Sequence, residues 1–69
     1  MDSHNMVHMV NQIALNFSAY PREEAINLTR QHLLNFWEPR MRKQLREYVA
    51  NGGSGLNELA REAEQLLQK

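Results

Sequence analysis

The residue types best suited to chemistry in this chain are three histidines, His4, His8 and His32. His4 and His8 stand four residues apart, which would place both rings on one face of a helix, as in the zinc-binding helix of many metalloproteases. That helix also needs a glutamate directly after the first histidine, and Asn5 stands there instead. A zinc site would need a third ligand, and there is no cysteine to supply one. We therefore expect no metal at this pair and interpret both histidines as solvated residues near a frayed terminus, residues 1–5.

His32 differs because it falls on an otherwise apolar helical face. The commonest role of such a histidine is that of a neutral, hydrogen-bonded core residue, and contact with a partner is the alternative. No serine or aspartate stands at a spacing that would complete a catalytic triad with it. The sequence thus identifies no catalytic, cofactor-binding or metal-binding residue, and we expect this chain not to be an enzyme.

Length and composition limit the remaining functions. The 69 residues, of 8.1 kDa, suffice for one domain over residues 1–69, and a domain of this size buries only about 60% of the surface that its unfolded chain exposes. Eight basic and eight acidic residues give no net charge, which argues against electrostatic binding to nucleic acid or a membrane surface. The lack of cysteine excludes disulfides and thiolate ligation of iron–sulfur clusters. No apolar run is long enough to cross a bilayer and no stretch has the layout of a secretory signal, so we expect a cytoplasmic protein.

The apolar periodicity predicts an all-α fold, a small compact bundle of three to four short helices. Proline and glycine separate the helical segments, which we place at about residues 5–19, 22–37, 39–50 and 57–68. In the second segment Phe36 and Trp37 both lie on the apolar face, and we expect both rings to fill the core where two helices cross at Pro39. Leu15 and Leu34 point away from the apolar stripes of their segments. The last segment has a narrow stripe, which favours packing against a single neighbour.

Residues 51–56 form a glycine-rich connector in which three of four consecutive positions are glycine. Glycines there suit the end of a helix followed by a turn, because they adopt left-handed backbone angles without strain. A phosphate-binding loop is the alternative, but no strand pattern precedes the connector and the lysine of such a loop is absent.

One cluster of positive charge stands out, at Arg40, Arg42, Lys43 and Arg46. On a helix the last three lie on one polar flank, which is either a solvated surface, a docking surface for an acidic partner, or a nucleic-acid contact. Glu38 with Arg42, and Lys43 with Glu47, are spaced for surface ion pairs. Because tryptophan, methionine and arginine are enriched in interface cores, and because the basic flank suits an acidic partner, we assign partner binding to six residues. They are Trp37, Arg40, Met41, Arg42, Lys43 and Arg46.

Four stretches of the chain resemble a known family. They are residues 7–13, Val-His-Met-Val-Asn-Gln-Ile; residues 36–42, Phe-Trp-Glu-Pro-Arg-Met-Arg; residues 52–56, Gly-Gly-Ser-Gly-Leu; and residues 61–63, Arg-Glu-Ala. In order and spacing they resemble the delta subunit of the molybdenum-containing, NAD-dependent formate dehydrogenases, over about residues 7–67. The aromatic–acid–proline–arginine corner at residues 36–42 is the most specific of the four.

The resemblance implies a small accessory subunit that binds and stabilises, or helps to assemble, the large catalytic subunit. In that family the molybdopterin, iron–sulfur clusters and flavin belong to other subunits, so formate oxidation is implied for the complex and no cofactor for this chain. We expect the isolated chain to be marginally stable or to self-associate. A small helical DNA-binding regulator that reads DNA with the third segment remains the alternative function.

Overall fold

The chain folds into four helices in the computed structural model, which describes residues 2–67. They are α1 (Ser3–Asn16), α2 (Arg22–Phe36), α3 (Pro39–Ala50) and α4 (Glu58–Leu67). The described residues contain no strand, so the predicted all-α bundle is confirmed. The terminus that we expected to be frayed at residues 1–5 is helical from Ser3 onward, while Met1 lies outside the described residues.

Two prolines set the starts of α2 and α3. Pro21 directly precedes α2, and its carbonyl oxygen accepts a hydrogen bond from the backbone N–H of Ala25 at 2.8 Å. Pro39 occupies the first turn of α3, where its missing N–H leaves no hydrogen bond unmade. Glu38 before it has extended angles, φ −71° and ψ 153°, as expected for a residue that precedes proline. The corner between α2 and α3 therefore follows from the backbone limits of one proline.

α4 is the central helix of the bundle, since it packs against α1, α2 and α3. We expected a seam against a single neighbour, and that prediction is wrong. Ala60 and Ala63 are fully buried and, having only a methyl side chain, they let the neighbouring backbones come close. On its outer side Arg22 of α2 forms ion pairs with Glu58 and Glu62 of α4. The apolar stripe of α4 looked narrow in the sequence because its buried residues include two alanines, which are small and only weakly hydrophobic.

The core gathers around buried residues of all four helices. α2 contributes Ala25, Thr29 and Leu33, each four residues after the last, and Trp37 continues this line with only 5% of its surface exposed. Phe36 lies about 100° away around the helix axis, because a helix has 3.6 residues per turn. Its ring is 73% exposed, so the prediction that both aromatics fill the core is wrong for Phe36 and confirmed for Trp37.

The glycine connector closes the C-terminus of α3. The backbone N–H groups of Gly52 and Gly53 donate to the carbonyl oxygens of Val49 and Tyr48, both at 3.0 Å, in the pattern of a Schellman motif. Positive φ angles of 119° and 62° at these two glycines make that geometry possible. Because both amides are used by the helix end, they do not form the phosphate-binding loop considered above.

Side chains from three helices then hold the connector in place. Arg61 of α4 donates to the carbonyl oxygens of Gly52 and Gly53, at 3.2 Å and 3.0 Å. Tyr48 of α3 donates through its hydroxyl to the Ser54 carbonyl, and Asn11 of α1 donates to the Gly55 carbonyl at 2.9 Å. Four consecutive carbonyl groups are therefore satisfied by side chains, which gives this glycine-rich stretch a single position in the fold.

Candidate docking surface

The α2–α3 corner is closed by Arg42, which stands in the first turn of α3. Its guanidinium donates hydrogen bonds to the carbonyl oxygens of Leu33 and Leu34, at 3.2 Å and 3.3 Å, and to that of Trp37. The Leu33 carbonyl oxygen also accepts the backbone N–H of Trp37 at 3.1 Å, but the end of a helix as a whole carries partial negative charge, so a cation there is favourable. Arg42 thus caps α2 from the next helix.

This role of Arg42 changes the expected pattern of surface charge. Among the described residues Arg42 makes no ion pair with Glu38, since its guanidinium is turned towards the end of α2. Lys43 likewise makes none with Glu47 there. Within residues 2–67 the side chains of Lys43 and Arg46 form neither an ion pair nor a hydrogen bond, and both residues are exposed. These two cations are therefore available to an external group.

Lys43 and Arg46 border a groove of about 310 Å³ where the end of α2, the start of α3 and the end of α4 meet. We call it the α3 groove. Arg42, Lys43 and Arg46 form its basic side. Leu34, Pro39 and Leu67 form its apolar side, and the buried Glu64 contributes to its lining. The groove joins positive charge to an apolar wall, which is a combination suited to a protein segment.

The six residues predicted to bind a partner fall into three groups. Arg42, Lys43 and Arg46 line the α3 groove. Arg40 is exposed but is not part of the groove lining. Met41 is half-buried and packs against the core, and Trp37 is buried, so neither side chain is part of the groove lining.

The six residues predicted from the sequence do not include the apolar side of the groove, although the sequence showed that Leu34 is left for a partner or a second copy to cover. Leu34 points away from the core stripe of α2 and is 45% exposed. A large apolar residue on the solvent side of a helix, five positions before Pro39 and close to a basic cluster, marks a partly apolar surface. Leu67 and Glu64 join the groove through tertiary packing of α4, and local sequence patterns carry no signal for that.

A second exposed feature is a row of rings along α2 and the end of α1. The His32 ring lies between those of Phe36 and Phe17, with centroid distances of 4.7 Å and 6.4 Å, and Tyr20 follows 6.3 Å beyond Phe17. His32 is half-buried and no described residue forms a hydrogen bond with its ring, so the expected hydrogen-bonded core histidine is not what the structure shows. It forms part of an aromatic surface.

His4 and His8 are exposed on α1. Over residues 2–67 no group of three or more histidine, cysteine, aspartate or glutamate residues is placed to hold a metal ion. None of the helices described here is long and apolar enough to cross a membrane.

The fold and this surface define a small all-α domain whose third helix presents a basic and partly apolar groove. The family model described as the NADH-dependent formate dehydrogenase delta subunit FdsD matches residues 5–63, which is most of the chain. The protein therefore belongs to the family of formate dehydrogenase delta subunits, as its four motifs predicted. Searches of curated proteins and of solved structures found no match.

Proposed function

We propose that this chain is a small non-catalytic accessory subunit that binds and stabilises, or helps to assemble, the catalytic subunit of an NAD-dependent molybdenum formate dehydrogenase. Membership of the delta-subunit family supports a place in that complex. The observation that carries the binding role is the α3 groove, where Lys43 and Arg46 stand beside an exposed apolar wall. We place the contact with the catalytic subunit on this side of α3, with Arg40 at its margin.

The residue chemistry supports a role other than catalysis. Iron–sulfur clusters are held by cysteine thiolates, and this chain has no cysteine. Arg42 caps the end of α2, and Arg61 holds the glycine-rich connector. Lys43 and Arg46 lie exposed at the surface. The cofactors of formate oxidation then belong to other subunits of the complex.

The size of the chain explains why binding and folding would be linked. A domain of 69 residues has a small core, and a partner that binds only the folded form stabilises it by mass action. We expect the isolated chain to unfold at low denaturant concentration, or to self-associate through the same surface. High stability together with a strictly monomeric state in dilute solution would contradict this dependence on a partner.

The direct test is to isolate the chain with its partners from native cell extract under mild conditions. The expected result is co-purification of a large molybdenum-containing subunit, together with NAD-dependent formate oxidation in the eluate. Recovery of the chain alone, or with an unrelated protein, would overturn the proposal.

The two versions of the role are separated by the state of the partner. A permanent subunit is expected in the mature, cofactor-loaded complex at a fixed ratio to the catalytic subunit. An assembly factor is expected mainly on the catalytic subunit before its cofactor is inserted. Mass spectrometry of intact complexes, with molybdenum quantified in the same fractions, measures both.

A further inference from the structure

We propose that the α3 groove binds an acidic segment of the catalytic subunit that inserts one apolar side chain into the groove and places carboxylates at its basic rim. This inference rests on the proposed function and adds to it the site, the chemistry of the partner segment and the contact made by each side of the groove.

The charge of the rim selects an acidic partner. Three cations line the groove, but Arg42 already donates to three carbonyl oxygens at the end of α2. The side chains of Lys43 and Arg46 form no hydrogen bond or ion pair within residues 2–67. They stand three residues apart and so share one face of α3. Two carboxylates of a partner segment could pair with them without breaking any interaction of the described fold.

The lining of the groove favours an apolar side chain in the part of the partner segment that lies between those carboxylates. Leu34, Pro39 and Leu67 offer an apolar wall, and Glu64, which also lines the groove, is almost fully buried. A carboxylate inserted against this apolar wall would lose part of its hydration, and burying an unpaired charge is costly. An apolar side chain suits the interior, and the acidic groups belong at the rim.

The volume of the groove sets the size of the inserted group. About 310 Å³ lies at the lower end of the range of ligand cavities. It accommodates one large apolar side chain of the partner segment. The remaining contacts of the partner segment would run along the exposed flank of α3.

The test uses two matched pairs of variants in binding to the purified catalytic subunit. Arg46→Glu is paired with Arg40→Glu, because both arginines are exposed on α3 and only Arg46 lines the groove. Leu34→Ser is paired with Leu15→Ser, because both leucines are exposed, at 45% and 60%, and only Leu34 lines the groove. Circular dichroism on each variant verifies that the helices are retained.

We expect Arg46→Glu to weaken binding about tenfold or more, with Arg40→Glu affecting it several times less. Leu34→Ser is expected to weaken binding and Leu15→Ser to leave it unchanged. The affinity of the wild-type chain should fall with added salt, and that fall should be smaller for Arg46→Glu. If the wild type binds and each pair behaves alike, the groove assignment is overturned while the proposed function stands. If the wild type does not bind the catalytic subunit at all, both are overturned.

A cross-linking measurement identifies the occupant independently of affinity. Because the chain has no cysteine, Lys43→Cys creates a unique attachment site for a short photoreactive group at the rim. The expected product joins position 43 to a segment of the catalytic subunit that contains aspartate or glutamate next to a large apolar residue. A product with a second copy of this chain, with nucleic acid, or with a basic segment would refute the proposal.

Discussion

Arg42 donates a hydrogen bond to the carbonyl oxygen of Trp37, five residues earlier and across the corner made by Pro39. The two residues stabilise that corner in different ways. The Trp37 ring continues the buried line of α2 into the core, and its carbonyl group receives the guanidinium of α3. Trp37, Pro39 and Arg42 therefore fix the α2–α3 corner of this chain together.

The first prediction concerns this cap. Arg42→Ala removes the donor to three carbonyl oxygens, and we expect it to lower the free energy of unfolding by about 1.5–3 kcal/mol, the range for a hydrogen bond to a charged group. Arg40→Ala is the matched control, since Arg40 is exposed and on the same turn, and should change it by no more than about 0.5 kcal/mol. Urea unfolding followed by circular dichroism measures both. Equal effects would show that Arg42 does not cap α2.

The cap also bears on how the docking surface is tested. Charge reversal at Arg42 would place a carboxylate beside the partial negative charge at the end of α2, so it alters folding as well as docking. Lys43 and Arg46 lack such bonds among residues 2–67, and for this reason the binding variants are placed there.

The second prediction uses two neighbouring aromatics with opposite surroundings. Trp37→Ala deletes a ring that is 5% exposed, and we expect a loss of about 3–5 kcal/mol. That loss is comparable to the whole stability of a domain of this size, so the cooperative unfolding transition should disappear at room temperature. Phe36→Ala removes a ring that is 73% exposed and should cost about 1 kcal/mol or less. Retained cooperative unfolding in Trp37→Ala would place the tryptophan outside the core.

The contrast between these two rings also shows which features of the fold can be predicted from the sequence and which cannot. Periodicity predicted the four helices, and Pro39 predicted the corner, because both act through the local backbone. The same periodicity assigned Phe36 and Trp37 to one wide face, since neighbouring residues on a helix differ by only about 100°. Which part of a wide face becomes buried depends on where the neighbouring helices lie, and that depends on the whole bundle.

α4 and the α3 groove illustrate the same limit. Ala60 and Ala63 carry little hydrophobic signal, although they are fully buried against the other helices. The sequence predicted Arg42 to be one of several surface cations, whereas in the structure its guanidinium donates to carbonyl oxygens at the end of α2. Two of the family motifs, residues 52–56 and 61–63, contact each other in the fold, where Arg61 donates to the carbonyl oxygens of Gly52 and Gly53. Helical periodicity could not predict this contact, because it is made only when the chain is folded.

The third prediction concerns the start of α4. The side-chain oxygen of Asn57 accepts a hydrogen bond from the backbone N–H of Ala60 at 2.7 Å, as an N-cap residue does. Asn57→Ala removes this acceptor and should cost about 1 kcal/mol in thermal or urea unfolding. Asn57→Asp keeps the acceptor but loses the Nδ2 donor to the Asn11 carbonyl oxygen, so it should cost less than Asn57→Ala without matching the wild type. A cost for aspartate as large as that for alanine would contradict the capping role.

The last prediction separates backbone strain from crowding at the connector. Gly53 has φ +62°, and a Cβ atom there would lie 2.9 Å from Nη1 of Arg61. Gly53→Ala should therefore cost about 1–2 kcal/mol for the left-handed backbone, and more for displacing the guanidinium. A Cβ atom at Gly52 would meet nothing within 4 Å, so Gly52→Ala introduces backbone strain without the clash, and this strain is the larger because φ +119° lies outside the left-handed helical region.

Each glycine variant is then combined with Arg61→Ala in a double-mutant cycle of unfolding free energies. Gly53→Ala and Arg61→Ala should be less than additive by about 0.5 kcal/mol or more, because the alanine has already displaced the hydrogen bonds that the second change removes. Gly52→Ala and Arg61→Ala should be closer to additive, because a Cβ atom at Gly52 meets nothing, although Arg61 also donates to the Gly52 carbonyl oxygen. Additive effects in both cycles would mean that Arg61 moves aside without loss, and its hydrogen bonds would then contribute little to holding the connector.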